Sequence, residues 1–309
     1  MIGDWTAASV RARGLAARRV GAAACRTLAH SGSLSEALAA LTHTPYNHDL
    51  RTGMNVAAAE RAVSSTLLWH LRVLAGWAPS RGHDRVRVLA AAFEIANIVG
   101  KLAQFDGRPE VAPYELGAFA AAWPPVSRAS SGEEVRTALT ASVWGDPGGT
   151  DMPTIGAALT VAWVRRVAFG VPEAANWAKM FGGLLLARMI AAGTPPVAGS
   201  ANDRNLRMVI GGRWTPTTKL ADLTAVLSKS ASRALDAGDV AASLWRAEAR
   251  AWKLLEKDAL RLQRGWNPGP QAVVAAAGLL AVDAWRVRAA LELAARGGRA
   301  ADEVLDVVA

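Results

Sequence analysis

Residues 33–47 read Ser-Leu-Ser-Glu-Ala-Leu-Ala-Ala-Leu-Thr-His-Thr-Pro-Tyr-Asn. Ser33 and Glu36 have the spacing of a capping box. The hydroxyl takes one free N–H of a helix's first turn, and the acid reaches back to another. Leu34, Ala37, Leu38 and Leu41 then recur at helical spacing until Pro45 stops the helix. The same pattern of cap, apolar stripe and stop runs along the chain. Val63, Leu67, Leu71 and Leu74 mark a second helix, with Pro79 beyond it. Asp84 is placed to cap a third that reaches Phe105, apolar on more than one side and so expected between neighbours. Ser131-x-x-Glu134 is a second box, and Pro153 suits the first turn of a further helix. Trp245, Ala249, Trp252, Leu255, Ala259, Leu262 and Trp266 alternate steps of three and four. That seam predicts the longest helix over 239–264, closed by Gly265 and Pro268, with its tryptophans in the core. Helix resumes from Gln271 to Leu293. Runs of β-branched residues and period-two segments are scarce, so the expected fold class is all-α. Loops at 106–113, 123–131, 144–153, 193–202 and 211–218 carry most of the Gly and Pro. They mark about three helical blocks of one domain, approximately 1–122, 123–215 and 216–309.

Composition narrows the function classes. Of 309 residues, 51% are apolar and 20% charged, enough to build a sizeable core and too apolar for a disordered chain. A lone cysteine, Cys25, excludes an intramolecular disulfide framework and a Cys-x-x-Cys zinc site. No window approaches 18 strongly apolar residues, and the first residues lack the apolar core of a secretory signal, so a cytoplasmic location is expected. His43 and His48 flank Tyr46 next to Asp49, but a spacing of five across a proline turn is poor ligand geometry. His70 sits at the edge of an apolar face, the place of a satisfied core-edge histidine. The glycines at 145–149 and 211–212 lack the phosphate-cradling Gly-x-x-x-x-Gly-Lys-Ser/Thr pattern. No catalytic constellation, metal or cofactor is therefore expected.

The basic excess is 35 Lys and Arg over 26 acids, a net +9. Its densest run is Arg11, Arg13, Arg18, Arg19 and Arg26, of which 11, 18 and 19, with 26 further on, fall on one stripe. Such a stripe is either a solvated helix face or a contact for an acidic partner, protein or lipid head group. A helical-repeat protein binding nucleic acid through it is the alternative functional class. Among the 12 tryptophans, Trp123, Trp144 and Trp214 lie in turns and are expected at partner contacts.

Two internal repeats are visible. Ala40-Leu-Thr-His-Thr-Pro-Tyr46-Asn matches Ala138-Leu-Thr-Ala-Ser-Val-Trp144-Gly, each closing a helix with Leu-Thr-x-(Thr/Ser)-x-aromatic. A second pattern occurs three times: a polar residue, three on an Asn or Arg with an aliphatic after it, an aliphatic five beyond the Asn or Arg, then Gly-Arg. Its copies are Glu94/Asn97/Arg108, Asn202/Asn205/Arg213 and Asp283/Arg286/Arg299. The expectation is a structural fastener in each block. The polar residue would bond the Asn or Arg one turn on, Gly would end the helix, and Arg would reach its last carbonyls.

These residues resemble the C-type subunit of the V/A-type ATPases, which is similar to the d-type subunit of the eukaryotic vacuolar ATPase. The resemblance runs over nearly the whole chain: Arg11-Ala-Arg13-Gly14-Leu15; Leu38-Ala-Ala-Leu41-Thr-x-Thr-Pro-Tyr46; Glu94-Ile-Ala-Asn97-Ile98 with Gly107-Arg108-Pro109; Asn205-Leu206-Arg207; Asn267-Pro268; and Ala284-Trp285-Arg286-Val287-Arg288 before an acidic, apolar tail. Ordered spacing carries it rather than any single motif. Asn202 stands where the family often has an acid, and Arg286 where it has Asn. The resemblance implies an all-α fold of three similar blocks in a pseudo-threefold, funnel-like arrangement. It implies a non-catalytic connector of a rotary ion pump, on the cytoplasmic face of the membrane. Its partners would be the central-shaft subunits and the membrane proteolipid ring, with membrane contact only through the complex and no nucleic acid.

Overall fold

The computed structural model describes residues 3–211, 213–265 and 267–298. Every regular element among them is helical. In chain order the α-helices are α1 (Gly3–Ala17), α2 (Gly21–Ala29), α3 (Leu34–Leu41), α4 (Val56–Trp77), α5 (Ser80–Phe105), α6 (Trp123–Val126) and α7 (Gly132–Thr140). There follow α8 (Met152–Gly170), α9 (Ala175–Ala191), α10 (Ala201–Ile210), α11 (Leu223–Val226), α12 (Leu244–Gln263) and α13 (Pro270–Ala295). Short 3₁₀ turns punctuate them.

The chain divides into two compact units. The first is Met1–Val86 together with Glu248–Ala309, and the second is Arg87–Ala247. Both boundaries expected between blocks, near 122 and 215, fall inside the second unit. The unit edges lie instead within α5 and α12, where an unbroken helical pattern offers no compositional break. Glycine- and proline-rich loops mark turns between helices here, not unit edges.

In the first unit α13 is the central post, packed against α1, α2, α3 and α4. It is buried on nearly every side, from Ala272 through Leu280 to Ala294, and its many alanines let neighbours approach closely. Leu28, Leu38, Leu41, Tyr46, Leu50 and Val63 join Val287 and Leu291 in one apolar cluster.

In the second unit Ile98 and Leu102 of α5 pack with Val126, Val135, Leu139, Trp144, Ile155 and Leu159. Helices α8, α9 and α10 pack on one another. Gly183 on α9 is required there, since a Cβ would stand 2.2 Å from the Ala231 carbonyl oxygen.

Several expected boundaries move. α5 begins at Ser80, four residues before the expected cap Asp84. α12 begins at Leu244 after a 3₁₀ turn and has 20 residues, whereas α5 and α13 have 26 each. Trp245 is 39% exposed, so the buried seam starts at Ala249 rather than at the first tryptophan. Trp252 stays half-buried and stacks on Trp285 at 5.7 Å. Trp266 lies outside the described residues.

Candidate functional site

The matching turns after α3 and α7 have the same hydrogen bonds. The Thr44 hydroxyl donates to the Leu41 carbonyl at 2.7 Å and accepts from the Tyr46 N–H at 3.3 Å. The Ser142 hydroxyl donates to the Leu139 carbonyl at 2.7 Å and accepts from the Trp144 N–H at 3.1 Å. A hydroxyl two residues before the aromatic thus bends the chain and aims the ring inward. Upstream, Ser33 and Ser131 cap α3 and α7 as expected. Glu36 and Glu134 each take the N–H of the residue before the cap, at 2.9 and 2.8 Å.

Each inward ring meets a buried acid on a long helix. In the first unit, Asp283 of α13 accepts from the N–H groups of Val20 (3.1 Å) and Gly21 (2.7 Å), where α2 starts. It also accepts from the Tyr46 hydroxyl at 3.0 Å. In the second unit, Glu94 of α5 accepts with Oε1 from the N–H groups of Ala121, Ala122 and Trp123, at 2.7, 2.7 and 2.8 Å. Its Oε2 accepts from Trp144 Nε1 at 2.9 Å. The two arrangements are the same device: a carboxylate takes the free N–H groups of a helix start and ties down the aromatic of the next turn. Gly21, at φ +80°, makes the bend that presents its N–H to Asp283.

Electrostatics differ between the two clasps. Burial holds the Asp283 carboxyl above its ordinary range, opposed by the N–H groups of Gly21 and Val20 and the Tyr46 hydroxyl. Burial and the adjacent Asp283 drive the Tyr46 phenol well up. The same two influences push the Cys25 thiol to about 12, which leaves it a core-filling group rather than a nucleophile. Over Trp144 stands Arg166, 4.7 Å from the ring centroid, its guanidinium destabilised by burial and favoured by the Glu94 charge.

The expected pairing along the helix does not form between Glu94 and Asn97. Asn97 instead clamps Tyr114, donating to its carbonyl at 2.9 Å and accepting from its N–H at 2.7 Å. Acid and amide one turn apart therefore hold two different loop segments, because both point into the unit where unpaired backbone groups need partners. In α13, Arg286 is 3% exposed and forms a two-pronged pair with Glu256 of α12, both bonds at 2.7 Å. Arg286 lowers the Glu256 carboxyl below its usual range, despite opposition from burial.

The middle copy departs from the other two. Asn202 and Asn205 are half-buried, and the buried group is Asp203 between them. Ser200 caps α10 by accepting from the Asp203 N–H, while the Asp203 carboxylate takes the Gly199 N–H at 2.9 Å and Arg207 Nε at 2.8 Å. The signal that would have found it is Ser200-x-x-Asp203, a third box with an aspartate in the glutamate position.

Of the expected helix-ending arginines, Arg108 and Arg213 have exposed side chains, and Arg299 lies outside the described residues. The stop after α5 is made by backbone: Gly107 at φ +76°, with the Arg108 N–H on the Ala103 carbonyl at 3.0 Å. Trp144 and Trp214 are not surface contacts. They are 7% and 0% exposed, one clasped by Glu94, the other under Arg207 at 4.3 Å. Trp123 is half-buried beside the second core. The arginine stripe is split as well. Arg11 and Arg18 are exposed, whereas Arg19 bonds the Ala16 carbonyl at 2.7 Å and lies 3.7 Å from Glu256.

No protein-family model matches the chain, and no curated protein matches it. Fold and site together define a protein that is all-helical among the described residues and whose buried Asp283 and Glu94 carboxylates are occupied by backbone and aromatic donors.

Proposed function

We propose that this chain is a non-catalytic connector of a V/A-type rotary ATPase, joining the central shaft to the membrane proteolipid ring while ions are carried. The ordered residues that resemble the C-type subunit of those machines motivate the reading. The observation that supports it best is the clasp built twice, around Asp283 and around Glu94, with the same serine cap and turn and an inward aromatic, Tyr46 in one and Trp144 in the other. A piece that passes torque between partners needs stiff helical units, and a saturated buried carboxylate stiffens each of the two units by pinning a helix start and a turn to a long helix. The chemistry of such a protein lies in its partners, and it needs no cofactor.

The test is isolation of the tagged protein from its own membranes in mild detergent. Proteins of the shaft and the ring should co-purify in fixed ratio, and deletion should abolish ATP-driven ion transport in membrane vesicles. Recovery without those proteins, with transport intact, overturns the reading. The nucleic-acid alternative has less support, because Arg13, Arg19, Arg207 and Arg286 are spent on internal partners. It would require duplex DNA binding that falls steeply with salt.

A further inference from the structure

Helix α1 buries Ala8, Ala12, Leu15 and Ala16 and leaves its opposite face open. That open face carries Ala7, Val10, Gly14 and Ala17, all small or short, with Arg11 among them, and Arg18 follows in the turn that closes the helix, its N–H on the Leu15 carbonyl at 3.1 Å. Val10 is 65% exposed, and Trp77 at the end of α4 is 54% exposed with Arg11 5.9 Å from its ring centroid. From Trp5 to Ser35 the chain has no acidic residue. Arg13 and Arg19 are drawn inward, to the Gly265 carbonyl and to Ala16 and Glu256. Arg11 and Arg18 have no carboxylate partner among the described residues. Their field is felt inside the unit: His70 is lowered to about 4, by burial first and then by His48, Arg18 and Arg11.

We infer that the open face of α1 with Trp77 is the docking surface for one helix of a partner protein, carrying two carboxylates about two turns apart. Arg11 and Arg18 are seven residues apart, Arg18 standing one residue past the end of α1, so at helical rise the two are separated by about 10 Å along its axis. Carboxylates at i and i+7 of a facing helix match that span. Small side chains at Ala7, Gly14 and Ala17 let the second helix approach to the close end of the usual 8–10 Å interaxial range. Trp77 supplies the large anchor that the α1 face lacks. A bilayer fits less well, since an interfacial helix binds through a row of large apolar side chains, and the α1 face has only the short Val10 beside the single Trp77. The surface does not depend on the rotor reading; any machine with such a helix would use it.

The test places a photo-crosslinking amino acid at Ala7, and separately at Gly14, in the full-length protein in its own cells, and maps the crosslinked peptide. The expected product is a single helical protein segment with acids at i and i+7. The variant Arg11→Glu/Arg18→Glu should keep the same helix content and melting temperature and lose crosslink yield about tenfold or more. Lysines at the two partner acids should restore it. Crosslinks to anionic lipid, to a segment without that acid pair, equal yield in the double variant, or no crosslink at all would each overturn the inference. A mapped acidic helix outside the shaft and ring proteins would uphold the surface and remove the rotor reading.

Discussion

Single residues set the strength of each clasp. Glu94 is 1% exposed and accepts from four donors, so exchanging one oxygen for an amide sets NH₂ against an N–H. Glu94→Gln should lower unfolding free energy by about 2 kcal/mol in denaturant titrations. Asn97→Leu strips two bonds from Tyr114 and should cost about 1–3 kcal/mol by the same measurement. His70 is 5% exposed and its folded value, about 4, lies below the ordinary 6.5. A lowered folded value gives stability that is present above pH 6.5 and lost as pH falls toward 4. The wild type should therefore lose roughly 3 kcal/mol more than His70→Gln between pH 7 and pH 4. Asp283 acts with the opposite sign: its raised folded value gives stability that is present below the ordinary aspartate value and lost as pH rises through the raised one. The polar residues themselves were legible, since Glu94, Asn97, Asp283 and Arg286 stand out inside apolar helices. Their partners were not. Asp283 meets Tyr46 across 237 positions, and nothing in local spacing reports a contact of that range.

At the scale of the element, local rules read well and boundaries less so. Ser33 and Ser131 cap as their spacing implies, and both repeated turns adopt one geometry, because caps and turns depend on neighbours within four residues. The start of α5 moved upstream because Ser80 and its neighbours continue a helix that Asp84 need not open. The burial of Trp144 and Trp214 was not legible, because a ring in a turn can face either way, and only the acid or cation it meets decides. Gly183 marks a close approach between helix and loop backbone in the second unit. Gly183→Ala would force α9 off the Ala231 backbone and should lower stability by about 1–3 kcal/mol, seen as a melting point lower by several degrees.

At the scale of the molecule, helical class was legible from period and cap frequency, and the unit division was not. The first unit joins both ends of the chain through α13, a pairing with no signature in composition. The second unit is continuous. A fragment spanning residues 80–247 should therefore fold alone, with helical circular dichroism and a cooperative melt. A fragment ending at residue 247 should keep that melt while its first 79 residues exchange amide hydrogens rapidly.

The placement of α13 also sets an order of events at the ribosome. Asp283, the residue that pins α2, is translated some 260 positions after the helix start it holds. The whole second unit emerges in between and can settle first. Until α13 arrives, α1 to α4 have apolar faces and no post to cover them, so nascent chains stalled before it are the form that holding chaperones would be expected to bind.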